Sequence, residues 1–273
     1  QVGSAVQAGM FVEPTTLDAH LAYLCKHFEI ISLSGLTDGR PPLGDRSSRK
    51  PLCAITFDDG WYDFYRYAYP VLVARGVPAT VFLPTDFMGT MRWFWTDQLG
   101  YLLGHLGQTA NVVEGAFAKA DPLLRELLQV SGSAEVKLER AIGLLKEHEP
   151  KRIESVIAEL AATLGVDANP PGRAFLSWEE VREMYASGLI TFGSHTASHP
   201  LLSNVSAETA RRELSDSKDV LIAQGVVDTR HISFSYPNGS YSTALSRMAR
   251  DAGYHLAVIT ERGWHRCGAN PYT

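Results

Sequence analysis

Thr56-Phe-Asp-Asp-Gly60 is the stretch around which the fold of this chain is organised. The segment that leads into it, residues 51–57, is short, apolar and partly β-branched, which predicts a buried strand. Residues 61–76, which follow it, predict a helix. Two adjacent carboxylates therefore stand where a strand ends and a loop begins. Because like charges repel, ionising both requires a cation or strong hydrogen-bond donors nearby; a plain turn with a helix-capping aspartate is the alternative.

The bulk composition is that of a soluble globular protein. The chain has 273 residues, of which 45% are hydrophobic and 20% are charged. Its formal net charge of −5 gives no indication of a nucleic-acid partner or of binding to an anionic membrane surface. No apolar run approaches the ~20 residues that a membrane-spanning helix needs. We therefore expect neither a nucleic-acid partner nor a transmembrane segment.

Cysteine usage and the first residues bear on the cellular compartment. Cys25, Cys53 and Cys267 are widely spaced in the sequence, which indicates a reducing compartment and no disulfide framework. The first residues lack the basic and apolar regions of a signal peptide. We expect a cytoplasmic protein, and an exported form whose signal has been removed is the alternative.

Strand and helix patterns alternate along most of the chain. Strands are predicted at residues 29–33, 79–83, 189–192, 232–234 and 255–260, with helices between them. Residues 96–167 differ, because Leu, Ala, Glu and Lys recur there at helical spacing. The sequence therefore predicts one α/β domain over residues 1–273, with a helical insertion at about 96–167. Alternating strands and helices favour a parallel sheet or barrel whose functional residues follow the carboxyl ends of the strands.

A second polar motif, Ser194-His-Thr-Ala-Ser-His-Pro200, also follows a predicted strand. His195 and His199 are four residues apart, a spacing that lets two imidazoles reach one metal ion. With one carboxylate of the Asp-Asp pair they form a ligand set that suits Zn²⁺ and also Fe²⁺ or Co²⁺. In this interpretation Asp59 binds the metal, and Asp58 takes a proton from bound water. Incidental placement of the two histidines is the alternative.

A third motif, Phe234-Ser-Tyr-Pro-Asn-Gly239, lies at the end of another predicted strand. Pro237 and Gly239 indicate a rigid turn, and the N–H groups of such a turn can face a developing oxyanion. A β-turn without a catalytic part is the alternative. Polar motifs at equivalent ends of parallel strands point into one pocket, so we expect the first two motifs to lie together.

The three motifs, in this order, resemble those of the polysaccharide deacetylase family, also called the NodB homology domain. The resemblance covers about residues 52–260 and is interrupted by the helical stretch. It implies a distorted (β/α) barrel with fewer than eight strands. It also implies hydrolysis of N- or O-acetyl groups on sugar polymers with a divalent metal, for which zinc is the first choice and cobalt, iron and nickel are alternatives.

The same resemblance assigns roles to the residues of the motifs. The catalytic base is Asp58. The metal ligands are Asp59, His195 and His199. The substrate side is the turn of Tyr236, Pro237 and Asn238, in which the backbone N–H of Asn238 corresponds to the oxyanion donor.

Two positions depart from the family pattern. The third motif usually begins with an arginine that orients the base, whereas Ser235 occupies this position here. The late Leu-x-His motif that usually supplies the catalytic acid is not recognisable. His255 begins an apolar strand and is interpreted as structural, so His265, in the loop after that strand, is the candidate acid.

The leading hypothesis is a metal-dependent hydrolase that removes acetyl groups from N-acetylated, or O-acetylated, sugars of a polysaccharide or glycan precursor. Its class is that of hydrolases acting on carbon–nitrogen bonds other than peptide bonds, and its partner is a carbohydrate substrate. One alternative keeps the metal site and hydrolyses small amides or imides. Another is a sugar-binding pseudoenzyme, which is disfavoured because both acids and both histidines are present. The sequence does not give the oligomeric state.

Overall fold

A computed structural model describes residues 12–36, 50–106, 120–264 and 270–272 of the chain. Among these residues there are two compact units. One, the helical unit, consists of Met91–Arg173, and the other, the sheet unit, consists of Val12–Thr90 and Ala174–Thr273. All three polar motifs lie in the sheet unit, so the candidate chemistry belongs to a single unit.

Seven short strands occur in the described part of the sheet unit, and every pairing between them is parallel. They are β1 (Glu29–Ile30), β2 (Leu52–Cys53), β3 (Thr56–Phe57), β4 (Ala79–Leu83), β5 (Ile190–Ser194), β6 (Ser233–Ser235) and β7 (Leu256–Val258). β1 pairs with β2, and the other five form one sheet in the order β3-β4-β5-β6-β7. Because this spatial order is the chain order, each connection advances in the same direction. That is the winding of a barrel, not of a doubly wound sheet.

One apolar cluster joins the two sheets. Leu33, which follows β1, packs with Phe82 of β4 and Leu256 of β7. Ala54, which follows β2, and Val258 of β7 pack against the same cluster. Because β4 and β7 are separated by two other strands in the sheet, side chains from both can meet only if the sheet curls. The expected fold, a distorted (β/α) barrel with fewer than eight strands, is confirmed.

The register of the sheet aligns the carboxyl ends of its strands. Leu83, the last residue of β4, pairs with Ser194, the last residue of β5, and Ser194 pairs in turn with Phe234 of β6. Residues that follow these strands therefore emerge at one edge of the sheet, where parallel α/β proteins place their functional groups. The three polar motifs begin at this edge, directly after β3 and β5 and at the end of β6.

Nine α-helices occur among the described residues. They are α1 (Pro14–His27), α2 (Tyr69–Arg75), α3 (Trp95–Leu106), α4 (Pro122–Leu128), α5 (Ala134–Leu145), α6 (Pro150–Leu164), α7 (Trp178–Ala186), α8 (Ala207–Ala223) and α9 (Thr243–Asp251). The Ser177 hydroxyl accepts the N–H of Glu180 while the Glu180 carboxylate accepts the N–H of Ser177, so α7 begins with a capping box. None of the described helices is both long and apolar enough to cross a membrane.

Two local features around the Asp-Asp motif differ from the sequence-based expectation. The single strand expected over residues 51–57 is divided, because β2 pairs with β1 whereas β3 pairs with β4. The helix expected over residues 61–76 contains a π-helical segment, Phe64–Ala68, and continues as α2. Pro70 has no N–H to donate to the carbonyl of Arg66, and the wider π turn accommodates its ring at this point of the helix.

The helical unit has an apolar core of its own. Its buried side chains come from all four of its described helices and include Leu102, Leu124, Leu145 and Leu160. Asp121 caps α4 by accepting the N–H of Leu123 at 2.9 Å, and both of its oxygens accept from Arg152 of α6. The described part of this unit contains no strand, so its stability comes from helix packing.

Candidate metal centre

Backbone conformation marks the same residues that the motifs mark. Among the described residues, four that are not glycine have a positive φ: Asp59 (71°), Thr196 (68°), His199 (60°) and Asn238 (60°). This region of conformational space costs an ordinary residue about 1–3 kcal/mol, and such strain concentrates at functional sites. Each of the three motifs contains at least one of the four residues. The strain therefore lies where the chain aims side chains and N–H groups at the edge of the sheet.

The turn after β3 separates the two aspartates. The carbonyl of Asp58 accepts the N–H of Gly60 at 2.9 Å, and Asp59 and Gly60 are both left-handed. A Cβ on Gly60 would lie 2.6 Å from Cδ2 of Leu83, so glycine suits this position in space as well as in conformation. The turn leaves the Asp59 side chain half-buried and Asp58 exposed. Two neighbours with the same chemistry therefore have different surroundings.

The loop after β5 winds tightly around the hydroxyl of Thr196. This hydroxyl donates to the carbonyl of His195 and accepts the N–H of His199 at 3.0 Å. The N–H of Thr85, after β4, donates to the carbonyl of Thr196, which ties the loop to the neighbouring strand. The winding brings the rings of His195 and His199 to the same side, with their centroids 4.8 Å apart.

Glu213 of α8 holds the same loop in place through three hydrogen bonds. Its carboxylate accepts the N–H groups of Ala197 and Ser198 at 2.9 and 2.8 Å and the Ser198 hydroxyl at 2.6 Å. Hydrogen bonds to a charged acceptor are among the stronger ones in proteins. Glu213 was not predicted from the sequence, since an acidic residue within an amphipathic helix carries no signal of a long-range partner.

Three side chains converge where the turn and the loop meet. Oδ1 of Asp59 lies 3.5 Å from Nε2 of His195 and 3.3 Å from Nε2 of His199. The candidate ligand atoms of these three residues all lie within 4.8 Å of one another. Donors that share one tetrahedral zinc ion are about 3.3 Å apart, given metal–ligand distances near 2.0–2.1 Å. The spacing of the three side chains therefore fits a small metal ion.

The hydrogen bonding of His195 also favours a cation between these groups. Its Nδ1 lies 2.8 Å from the carbonyl of Ser235 and donates to it, so in the neutral imidazole Nε2 is an acceptor. Burial, followed by the neighbouring His199, lowers the pKa of His195, which keeps the ring neutral. Nε2 then faces the Asp59 carboxylate as one acceptor faces another. A metal ion between them would satisfy both.

Asp59 is held in its charged form. Burial alone would raise the pKa of this carboxyl group. The hydrogen bond from His199, the positive charge that either imidazole carries when it is protonated, and the indole N–H of Trp61 together outweigh burial, so the pKa of Asp59 lies below its ordinary value. A carboxylate and a neutral imidazole are the forms that bind metals. The group of Asp59, His195 and His199 can thus hold a metal ion.

The third motif contributes to the site through its backbone. The position that carries Ser235 instead of arginine supports His195 with its carbonyl, which does not depend on the side chain. Tyr236 is 1% exposed, its hydroxyl donates to the carbonyl of Tyr272, and Pro237 is buried, so both belong to the core. Asn238 is exposed, and its N–H has no hydrogen-bond acceptor among the described residues. This N–H is available to a substrate oxygen.

Of the two histidines considered for the catalytic acid, one lies among the described residues. His255 directly precedes β7, and its ring lies beside that of His231, with the ring centroids 4.9 Å apart. His265, the candidate from the sequence, lies outside the described residues.

Known proteins similar to this chain include one curated relative and two solved structures. YxkH of Bacillus subtilis (strain 168), provisionally named a polysaccharide deacetylase, is 23% identical over 219 residues, which cover 80% of this chain and 48% of that protein. The chain therefore spans about half the length of this curated relative. IcaB from Ammonifex degensii has a TM-score of 0.59 at 18% identity, over 98% of this chain and 85% of its own. The Streptococcus pyogenes deacetylase PplD, solved with acetate, has a TM-score of 0.55 at 20% identity, over 94% and 76%. At these identities the two structures support the fold alone.

A family profile covers most of the chain. The profile described as polysaccharide deacetylase matches residues 45–110 and 132–257, which is more than half of the sequence and includes all three motifs. The resemblance seen in the motifs is confirmed. The chain belongs to the polysaccharide deacetylase family.

Proposed function

We propose that this protein is a metal-dependent deacetylase that hydrolyses the N-acetyl groups of sugars in a polysaccharide or glycan precursor. The observation that carries the proposal is the convergence of Asp59, His195 and His199 at the carboxyl edge of the sheet. Membership of the polysaccharide deacetylase family supports deacetylation as the reaction. A structural neighbour from Aggregatibacter actinomycetemcomitans, with a TM-score of 0.53 at 15% identity, is a de-N-acetylase, which favours an amide rather than an ester as the substrate.

Asp59, His195 and His199 would hold one divalent cation. An acid with two imidazoles suits Zn²⁺ best, and Co²⁺, Fe²⁺ and Ni²⁺ are alternatives. When bound, such a cation supplies Lewis-acid chemistry by polarising a carbonyl group and lowering the pKa of water.

Asp58 is the proposed general base. Its side chain is exposed in the same turn, directly before the candidate ligand Asp59. It would take the proton of the attacking water as the water oxygen bonds to the acetyl carbon. The carbon–nitrogen bond then breaks, acetate leaves, and the amine nitrogen takes up a proton.

Asn238 is the proposed oxyanion donor. Its N–H is held in a turn that begins with the buried residues Tyr236 and Pro237, so its direction is fixed before the substrate binds. Such preorganised donors favour the charge that develops on the carbonyl oxygen in the transition state. The donor is a backbone group, so its function does not depend on the asparagine side chain.

Acetate release tests this function. The protein is stripped of metal, reloaded separately with Zn²⁺, Co²⁺, Ni²⁺ or Fe²⁺, and assayed on N-acetylated chito-oligosaccharides, O-acetylated sugars and small amides. We expect metal-dependent acetate release from the N-acetylated sugars and none from the His199→Ala variant. Hydrolysis confined to small amides would favour the amide hydrolase alternative. Protein that contains no metal and releases no acetate would favour a sugar-binding module.

A further inference from the structure

The two oxygens of the Asp59 carboxylate have different partners, because an indole N–H bonds to only one of them. Nε1 of Trp61 donates to Oδ2 of Asp59 at 3.1 Å. The other oxygen, Oδ1, faces Nε2 of His195 and of His199 at 3.5 and 3.3 Å. One oxygen is therefore committed to the indole, and one is directed to the place that a cation would take.

The indole is fixed on both its ring and its backbone. Its ring stacks on Phe175, with centroids 4.7 Å apart and the planes at 20°, and Phe175 is fully buried against Phe87. The backbones of Trp61 and Phe175 form an antiparallel bridge. The N–H of the following residue donates to the carbonyl of Ala174 at 2.8 Å. The indole N–H thus approaches Asp59 from a direction that the surrounding structure determines.

A carboxylate needs a hydrogen-bond donor on one oxygen if it is to bind a metal ion through the other oxygen alone. The terminal torsion of aspartate is broad, so an unsupported carboxylate can present one oxygen or both to a metal ion. A donor on Oδ2 holds that oxygen away, which leaves Oδ1 as a single ligand beside two imidazoles. This keeps positions open for water and substrate.

We propose that Trp61 is a positioning residue that makes Asp59 a one-oxygen metal ligand, an inference that rests on the proposed function. The competing explanation is that the indole serves only as a stacking surface for Phe175. The two explanations differ in what happens when the N–H is removed and the ring is kept.

Trp61→Phe makes that change, and Trp93→Phe is the matched control. The indole of Trp93 also donates to an oxygen, but this is the backbone carbonyl of Gly172, at 3.2 Å. Zn²⁺ affinity is measured by competition with a chromophoric chelator on metal-free protein. Loss of a hydrogen bond to a metal ligand typically weakens binding roughly 10–100-fold, and we expect this for Trp61→Phe. Trp93→Phe should bind Zn²⁺ as the unaltered protein does.

The visible spectrum of the Co²⁺-loaded protein reports the geometry directly. Absorption by Co²⁺ weakens as its coordination number rises, so release of Oδ2 to the metal in Trp61→Phe should lower the absorption. A spectrum and an affinity equal to those of the unaltered protein would overturn the proposal. So would equal losses in both tryptophan variants.

Phe175→Leu keeps the test decisive if Trp61→Phe does not fold. This variant keeps the indole N–H and removes its stacking partner, so we expect a lower melting temperature with a smaller loss of Zn²⁺ affinity. If Phe175→Leu loses as much Zn²⁺ affinity as Trp61→Phe does, the packing of the ring explains the effect and the proposal fails. Failure of the proposed function looks different, because the unaltered protein would then bind Zn²⁺ and release no acetate while the effect of Trp61→Phe on binding persisted.

Discussion

The Asp turn (residues 58–60) follows β3, and the histidine loop (residues 195–199) follows β5. Both contain left-handed residues, but they are held by different kinds of contact. The loop is bonded by the carboxylate of Glu213, the hydroxyl of Thr196 and the carbonyl of Ser235. In the turn, the indole of Trp61 holds the carboxylate of Asp59, whereas the side chain of Asp58 has no hydrogen bond among the described residues. The groups that would bind a metal are therefore held by hydrogen bonds, whereas the side chain that would carry a proton is not.

Removing a histidine from the well-supported loop should have the largest effect. His195→Ala and His199→Ala each leave two ligands, so we expect the protein to lose tightly bound metal in both cases. The variants should differ in stability, because the side chain of His195 is 2% exposed and that of His199 is 25% exposed. Loss of the buried bond from His195 to the carbonyl of Ser235 should cost about 1–3 kcal/mol of unfolding free energy.

Metal content by mass spectrometry after dialysis and melting temperature measure these two effects. Unchanged metal stoichiometry in both variants would rule out the site. Equal melting temperatures would show that the loop does not depend on the buried imidazole.

The two aspartates of the turn should respond differently to the same substitution. Asp58→Asn should keep metal and lower kcat roughly 10²–10⁴-fold, because only general-base assistance is lost. Asp59→Asn should lower both metal affinity and kcat, and excess metal should restore part of the loss. Metal titration and single-substrate kinetics separate the two variants. If they lose metal together, or keep it with equal activity, the turn does not divide ligand from base and the pair acts as one coupled unit.

Glu213 tests whether the loop needs its outside support. Glu213→Ala leaves the N–H groups of Ala197 and Ser198 without their acceptor, which should cost about 1–3 kcal/mol and weaken metal binding roughly 10-fold. Glu213→Gln keeps an oxygen for these N–H groups and should lose less. Asp216→Ala, an exposed acid on the same helix, is the control. Urea unfolding and metal titration give both quantities, and an effect of Glu213→Ala no larger than that of the control would mean that the loop holds its shape alone.

The sequence predicts the candidate metal ligands better than it predicts the residues that hold them in place. Asp59, His195 and His199 were predicted because each motif is short and follows a strand, and the parallel register then aligns the strand ends. Glu213 lies 16 residues from the N–H of Ala197, and its neighbours on α8 follow an ordinary amphipathic pattern. Nothing local announces a contact of that kind. Trp61 is close in sequence to Asp59, but the sequence predicts that it belongs to a helix. Nothing in a helical pattern indicates that the indole N–H of Trp61 faces the Asp59 carboxylate.

The division of the strand before the Asp-Asp motif into β2 and β3 could not be predicted from the sequence either. Residues 51–57 form one apolar run, and its periodicity does not say that the first half pairs with β1 and the second with β4. Strand pairing is decided by contacts between distant segments, such as the cluster of Leu33, Phe82 and Leu256. Local patterns give the existence of such elements more reliably than their partners.

The smallest expected effect concerns Asn238, the left-handed residue of the third motif. If its backbone N–H is the oxyanion donor, Asn238→Gly keeps the donor and fits φ of 60° without a Cβ. We expect kcat within about threefold of the unaltered value, since loss of a whole oxyanion donor costs roughly 10²–10³-fold. Asp59→Gly makes the same backbone change at the other turn, at φ of 71°, and should abolish metal binding because the side chain is the ligand. A large loss of kcat in Asn238→Gly, with metal retained, would transfer the role from the backbone to the asparagine amide.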